Sequence, residues 1–257
     1  MSDQGGETLV TQTENSLGGA IDADTSDIVG NPLEPPPLTP RPQPPDDMFV
    51  SVAQQLDNVR RWNEERGWGF TASDFDNVDT TPSAHGDPLV VDIVAVYLPG
   101  DEELDAVRRT CHELWEVAAE HYPGAWCWDE RTVELKQVRL LRGIVHTPGI
   151  RRVTVDLGAH WTPPRPCRSL DIRCPASAHA EVIAAAAHFP RWVRAMDGTA
   201  VPYVWVSGYQ VTWAPDESWR RLPCLSWNES RNTMSLTAHW ADIFGTRWAS
   251  PECVSSQ

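Results

Sequence analysis

The feature that most constrains the fold is an alanine-dense stretch at residues 175–190. It reads Pro-Ala-Ser-Ala-His-Ala-Glu-Val-Ile-Ala-Ala-Ala-Ala-His-Phe-Pro. Alanine is the strongest helix former, and Ser177 is placed to cap the first turn. Pro190 ends this helix because it lacks an N–H, and it is suited to begin a second short helix that Gly198 can end. Because small side chains cover every face, we expect the first helix to be buried against a β-sheet.

Several stretches with strand character surround this helix. Residues 89–98 are almost continuously apolar and β-branched, which indicates a strand covered on both faces. Further strands are predicted by alternation or apolar content at 153–157, 201–213, 222–227 and 234–240. We therefore predict an α+β fold with one domain. It has a mixed or antiparallel sheet with helices packed on one face, a split βαβ-like core and a C-terminal β extension.

Two more helices are predicted from apolar periodicity. Asp46 and Asp47 are suited to cap the first helix, and Gly67 is suited to end it. Its apolar stripe consists of Phe49, Val52, Leu56, Val59 and Trp62. The second begins near Asp101 and is expected to bury Leu104, Val107, Cys111, Leu114, Ala118 and Tyr122. The apolar residues within 125–150 fit both the two-residue period of a strand and the period of a helix, and we favour a strand there.

The N-terminal region differs from the rest of the chain in charge and composition. Residues 1–47 contain nine acidic residues and one arginine, about half of the formal net charge of −15. Eight prolines fall within 32–45. Such a segment buries too little apolar surface to offset its chain entropy. We therefore predict a disordered acidic, proline-rich arm over 1–47 and an α+β globular domain over 48–257.

Composition excludes several classes of protein. No run of 18 apolar residues is present, which excludes a spanning helix, and the acidic start lacks the pattern of a secretory signal. The six cysteines contain no Cys-x-x-Cys pair. We predict a cytoplasmic protein with free thiols, no cofactor and no bound metal. The lack of a long apolar run gives no reason to expect a membrane as partner, and because the folded region is only mildly acidic we do not expect a nucleic acid.

The sharpest catalytic pattern is Ala178-His179-Ala180-Glu181 at the start of the alanine-rich helix. It resembles the His-x-Glu signature of the zinc-dependent nucleobase and tRNA deaminases. The resemblance implies zinc binding by His179 and proton transfer by Glu181. That family also has a Pro-Cys-x-x-Cys motif, whereas this chain has Pro223-Cys224-Leu-Ser-Trp227 and lacks the second thiolate. A tetrahedral catalytic zinc needs three protein ligands, so one histidine and one cysteine do not complete the site.

The thirteen tryptophans admit two interpretations. A single tryptophan is best explained as bulk in a small core, whereas several that are exposed together would indicate a binding surface. Strand ends beside helix N-termini are the favoured place for a ligand. We predict a shallow, mixed-charge ligand pocket there, formed by His160, Trp161, Asp171, Arg173 and His179.

These observations favour an interaction or ligand-binding protein without catalytic activity, whose partner is an unidentified protein or small molecule. Two alternatives remain. One is a zinc-dependent nucleobase or nucleoside deaminase-like enzyme centred on His179 and Glu181. The other is an acidic decoy of a nucleic-acid-binding protein.

Overall fold

The computed structural model describes residues 42–127, 138–140, 146–159, 180–206, 209–211, 221–240 and 247–254. All of them belong to one compact unit within residues 38–257. None of the helices in this described part is long and apolar enough to cross a lipid bilayer. The predicted arm, apart from its last six residues, lies outside the described residues, and its boundary with the globular domain stays a prediction.

The helices begin and end close to where the apolar periodicity places them. The described helices are α1 (Val52–Arg66), α2 (Ala72–Asp76), α3 (Glu103–Glu120), α4 (Ala180–His188) and α5 (Pro190–Arg194). Gly67 ends α1 in the left-handed conformation, with φ of 64°, as predicted. Pro190 occupies the first turn of α5, which confirms that it separates two helices.

The strands form two hydrogen-bonded sheets. In the three-stranded sheet the order is β1-β4-β10, with both pairings antiparallel. The seven-stranded sheet has the order β2-β8-β7-β5-β9, and β6 joins it by pairing with β7 and β3. The strands of the first sheet are β1 (Val90–Tyr97), β4 (Gly149–Asp156) and β10 (Glu252–Val254). Those of the second are β2 (Trp126–Cys127), β3 (Val138–Leu140), β5 (Tyr203–Trp205), β6 (Tyr209–Val211), β7 (Arg221–Asn228), β8 (Thr233–Trp240) and β9 (Trp248–Ala249).

The alanine-rich helix α4 is buried along its whole length. Every residue from Ala180 to His188 is buried, and the helix packs against β1 and α3. Alanine side chains allow this close approach because they add little volume between helix and strand. Apolar side chains of all five helices and of both sheets belong to one buried cluster. The α+β class with mixed and antiparallel pairing is therefore confirmed.

Among the described strands, β1 is the end strand of its sheet, and buried side chains satisfy the backbone groups on its other edge. The Gln55 side chain accepts from the Val94 N–H at 2.8 Å and donates to the Asp92 carbonyl at 2.9 Å. His188 Nε2 donates to the Val94 carbonyl at 3.0 Å. An edge strand that lacks such partners is open to pairing with another chain. Gln55 and His188 thus close this edge of the sheet.

Two details of the predicted helices are wrong. Ser51 caps α1, and its hydroxyl accepts from the Gln54 N–H at 3.2 Å. Asp46 and Asp47 do not cap this helix, because Asp47 has a left-handed φ of 61° and the buried Met48 follows it before the helix begins. Leu104, expected on the buried face of α3, is 37% exposed because it lies in the first turn, beyond the packed surface.

Other predicted segments differ in extent. The stretch 201–213 contains two short strands, β5 and β6, rather than one continuous strand. Gly198 has a left-handed φ of 71° but follows α5 by several residues, and Ala195 caps that helix. The strands at 222–227 and 234–240 are confirmed as an antiparallel pair, β7 and β8.

Candidate functional site

A pocket of about 450 Å³ lies beside β1 and β4 in the three-stranded sheet. The loop after α2 contributes one wall, and the two strands contribute the other, with the end of β10 at the margin. The loop wall consists of Asp79, Thr81, Pro82 and Ser83; the strand wall consists of Asp92, Arg152, Val153, Thr154 and Val254. The pocket thus combines carboxylates, hydroxyls and a guanidinium with a few apolar side chains.

Asp92 is the centre of the polar network in this pocket. The Thr154 hydroxyl donates to its Oδ1 at 2.7 Å, and Arg152 Nη2 donates to its Oδ2 at 2.7 Å. His85 Nε2 lies 3.2 Å from the same Oδ2. Burial raises the pKa of Asp92, but the hydrogen bonds from Arg152, Thr154, His85 and Ser83 outweigh it and lower the pKa to about 2. Asp92 is therefore ionised throughout the physiological pH range.

Arg152 fastens the loop to the sheet. Its Nη1 donates to the backbone carbonyls of Asp79 at 3.1 Å and Thr81 at 2.7 Å. Its Nη2 donates to the Ser83 hydroxyl and to Asp92. A guanidinium has two N–H groups on each terminal nitrogen, so these contacts account for all four. The four terminal N–H groups of Arg152 thus bind the protein's own acceptors.

The network has the residue types of a hydrolase triad but a different connectivity. In a triad the histidine stands between the serine and the aspartate and takes the serine proton. Here Asp92 accepts from His85, while Ser83 accepts from Arg152. Among the described residues no hydrogen bond joins Ser83 to His85. The arrangement therefore holds the loop in place and differs from the order of contacts in a triad.

The mouth of the pocket has an exposed negative charge. The side chain of Asp79 is 72% exposed, and the Thr81 N–H donates to its Oδ1 at 2.9 Å. This backbone hydrogen bond lowers the pKa of Asp79. Arg152 Nη1 lies 3.6 Å from its Oδ2. Two carboxylates thus face one guanidinium. Val254, which is 45% exposed, adds apolar surface at the margin.

The pocket predicted from sequence involves other residues. His160, Trp161, Asp171, Arg173 and His179 all lie outside the described residues, so their grouping stays a prediction. The described residues that precede His160 and follow His179 in sequence lie near opposite ends of β1. Strand β4, which leads toward His160, ends at Asp156 opposite Val90. Helix α4, which follows His179, begins beside Tyr97 at the other end of β1, about 23 Å away at the usual rise per residue.

Of the residues that would carry the deaminase chemistry, Glu181 and Cys224 are described, and both are buried. Glu181 accepts a hydrogen bond from the Tyr97 hydroxyl. The Cys224 thiol lies 2.9 Å from the Thr237 hydroxyl, and burial raises the pKa of this thiol to about 12 despite that contact. Among the described residues, no group of three or more histidine, cysteine or acidic side chains could hold a metal ion. The zinc site centred on His179 stays a prediction.

Most of the tryptophans whose side chains are described contribute to the core. Trp62, Trp68, Trp115, Trp192 and Trp205 are buried, whereas Trp227 and Trp248 are partly buried. Trp205 and Trp248 stack on each other with ring centroids 4.9 Å apart. This distribution favours the interpretation of tryptophan as core bulk.

The sequence predicted no site at the residues of this pocket. One signal was available: Asp92 interrupts an otherwise apolar strand. Its register partner Thr154 and the diagonal neighbour Arg152 share its face of the sheet. These residues can be recognised as neighbours only when the pairing of β1 with β4 is known, and local periodicity does not predict that pairing.

The fold and the pocket thus define an α+β protein with a polar, acidic cavity at the margin of a small antiparallel sheet. No family model matches the chain, and neither a curated protein nor a solved structure matches it.

Proposed function

We propose that this chain is a non-catalytic binding protein whose pocket accepts a small cationic group, such as an alkylammonium. The observation that carries the proposal is the exposed carboxylate of Asp79 at the mouth of a cavity of about 450 Å³. Such a cavity has the volume of a small-ligand site.

The charge balance supports a cationic ligand. Asp79 and Asp92 are both held ionised, and the single guanidinium between them is Arg152. Because the four terminal N–H groups of Arg152 already meet protein acceptors, they are not available to an anion. An ammonium donates to carboxylate and hydroxyl oxygens. Its methylene chain would contact Val254 and Pro82 at the margin.

The connectivity of the polar side chains supports binding rather than catalysis. Nucleophilic catalysis requires a base in hydrogen-bonding reach of the nucleophile. The Ser83 hydroxyl accepts from Arg152, an obligate donor, and bonds to Asp92, whose lowered pKa of about 2 makes it a weak base. These contacts support a pocket that binds a charged ligand rather than one that activates a nucleophile.

A titration followed by amide NMR tests the proposal. The probe is Nα-acetyl-lysine methylamide, and butyrate serves as the anionic control. We expect saturable shifts from the amine that are concentrated at residues 79–83, 92, 152–154 and 254, with none from butyrate. Shifts that do not saturate, or that butyrate reproduces, would reject a cation-binding pocket.

The deaminase-like alternative has one observation in its favour: Glu181 lies in the first turn of α4, where the His-x-Glu motif requires its acid. Its test is the zinc content of the purified protein. Stoichiometric zinc that is lost in a His179→Ala variant would favour the enzyme, and metal-free protein that still binds the amine would favour the binding protein. The acidic decoy is tested by deleting residues 1–47, since nucleic-acid mimicry by the arm would then be lost.

A further inference from the structure

We propose that the pocket selects an ammonium group that carries N–H donors over a guanidinium or a quaternary ammonium group, and that Asp79 and Thr81 set this selectivity. The inference rests on the proposed cation-binding function and adds the chemical class of the ligand. It is argued from the oxygens of the two pocket aspartates, some of which already accept hydrogen bonds within the protein.

The carboxylate of Asp92 contributes charge to the pocket but has its acceptor sites occupied. Its Oδ1 accepts from the Thr154 hydroxyl, and its Oδ2 accepts from Arg152 and lies 3.2 Å from His85 Nε2. The Ser83 hydroxyl bonds to the same carboxylate. Because a carboxylate accepts about four hydrogen bonds, these groups use its capacity. A bound cation is therefore attracted by Asp92, but its N–H groups must donate to other oxygens.

The carboxylate of Asp79 presents its two oxygens unequally. The Thr81 N–H donates to Oδ1 at 2.9 Å, so the side chain mimics a backbone turn and is held in place. The Thr81 hydroxyl also lowers the pKa of this carboxylate, but a hydroxyl can rotate toward another partner. Arg152 Nη1 lies 3.6 Å from Oδ2, which is too long for a hydrogen bond. Among the described residues, no N–H group donates to Oδ2, so this oxygen is the one presented to a ligand.

A single presented oxygen favours an ammonium over a guanidinium. A guanidinium binds a carboxylate best through two parallel N–H bonds, one to each oxygen. At Asp79 this fork would compete with the Thr81 N–H for Oδ1. An ammonium needs only one carboxylate oxygen, and its three N–H groups point in different directions. Its other donors can reach the Thr154 hydroxyl oxygen, which donates to Asp92 and retains lone pairs.

The lining of the pocket also disfavours a quaternary ammonium group. Such a group has no N–H donor and is typically held against the faces of aromatic rings. The apolar residues described in the lining are Pro82, Val153 and Val254, and none of them has an aromatic ring. A quaternary group would gain the attraction of the two carboxylates but no hydrogen bond to Asp79 Oδ2. We therefore expect methylation of the ammonium to weaken binding.

Calorimetric titration of the full chain at one ionic strength compares four cations. They are Nα-acetyl-lysine methylamide, its Nε-trimethylated form, Nα-acetyl-arginine methylamide and n-butylamine. Each carries one positive charge, so differences among the first three report the head group. A lysine side chain and a free alkylamine share the ammonium, and n-butylamine distinguishes them: tighter binding of the lysine derivative indicates a side chain, and equal binding indicates a free amine. We expect the lysine derivative to bind at least about ten-fold more tightly than the arginine and trimethyllysine derivatives.

An Asp79→Glu variant tests the origin of the selectivity. Glutamate keeps the charge, but its extra methylene moves the carboxylate away from the Thr81 N–H and presents both oxygens. We expect the preference for the lysine over the arginine derivative to fall below about three-fold, chiefly because the arginine derivative gains affinity. Asp57 on α1 is equally exposed, so Asp57→Glu is the matched control and should retain the ten-fold preference of the wild type.

The outcomes separate this inference from the proposed function. Equal affinity of the wild type for the lysine and arginine derivatives would overturn the selectivity and leave the cation pocket intact. Equal affinity for the trimethyllysine derivative would overturn the need for N–H donors. An undiminished preference in Asp79→Glu would overturn the role of Asp79 and Thr81. If none of the four cations binds, the proposed function itself is wrong.

Discussion

The imidazole of His188 donates from Nε2 to the backbone carbonyl of Val94 over 3.0 Å, in a fully buried contact between helix α4 and the free edge of β1. The other ring nitrogen, Nδ1, is buried without a hydrogen-bond partner in the described part of the chain. A neutral ring fits this environment, because a second proton would reside on an unpaired buried nitrogen.

The first prediction concerns acid stability. Burial lowers the pKa of His188 from about 6.5 to about 4, although the bond to Val94 opposes this shift. The unfolded state therefore binds a proton between these values that the folded state excludes. The contribution of His188 to stability is complete above about pH 6.5 and is lost toward pH 4, at a cost of roughly 3 kcal/mol.

Urea denaturation at several pH values between 7.5 and 4 measures this effect. A His188→Gln variant, which retains a donor for Val94 but does not titrate, should lose less stability over that range than the wild type. His112 is exposed on α3, and His112→Gln should behave as the wild type does. Parallel pH curves for the wild type and His188→Gln would contradict the assignment.

The second prediction concerns the other side chain that closes the edge of β1. Truncation of Gln55 to alanine leaves the Val94 N–H and the Asp92 carbonyl without their partner. We expect a loss of about 3 kcal/mol in the free energy of unfolding. The neighbouring Gln54 is exposed, so Gln54→Ala is the matched control and should change the free energy by less than about 0.5 kcal/mol. Equal effects at the two positions would show that Gln55 does not close the edge.

The third prediction concerns the clamp between Arg152 and the loop. In an Arg152→Gln variant the pKa of Asp92, measured by carboxyl NMR titration, should rise from about 2 toward its ordinary value. Hydrogen exchange at residues 79–83 should accelerate, because the bonds to Asp79, Thr81 and Ser83 are lost. Arg60, which pairs with Asp57 on the surface of α1, provides the control variant Arg60→Gln. An unchanged Asp92 pKa would contradict the account of this network.

The fourth prediction concerns the buried pair of Tyr97 and Glu181. Tyr97→Phe removes the hydroxyl that donates to the Glu181 carboxyl group, and we expect a loss of about 2 kcal/mol in the free energy of unfolding. Tyr203 is only half-buried, so Tyr203→Phe should cost less. Calorimetry or chemical denaturation measures the free energy of unfolding of the two variants. A Tyr97→Phe variant as stable as the wild type would indicate that the pair adds no net stability.

The fold class followed from the sequence because local signals agreed with the tertiary structure. The alanine-rich helix, its stop at Pro190 and the apolar strand at 89–98 all depend on properties of neighbouring residues. The start of α1 was not predicted correctly from the sequence. Aspartate is a favourable capping residue, so Asp46 and Asp47 were plausible caps. The path of the chain before Ser51 is instead set by the packing of Met48 and Phe49. The ring of Phe49 lies edge-on to that of Phe189, with centroids 5.0 Å apart.

The pocket could not be predicted, because its members are distant in sequence. Asp92 and Arg152 meet only when β1 pairs with β4 in one register, and a slip of one residue would send their side chains to opposite faces. Asp79 and Thr81 join them through backbone carbonyls, which carry no signal in residue type. The division of the strands into two sheets depends on long-range pairing in the same way.

The most direct test of the central claim compares two aspartates by calorimetric titration with Nα-acetyl-lysine methylamide. The side chains of Asp79 and Asp57 are each 72% exposed, but only Asp79 lies at the pocket. If the pocket binds cations, Asp79→Asn should weaken binding about ten-fold, whereas Asp57→Asn should leave it unchanged. Equal affinities for the wild type and both variants would contradict the claim.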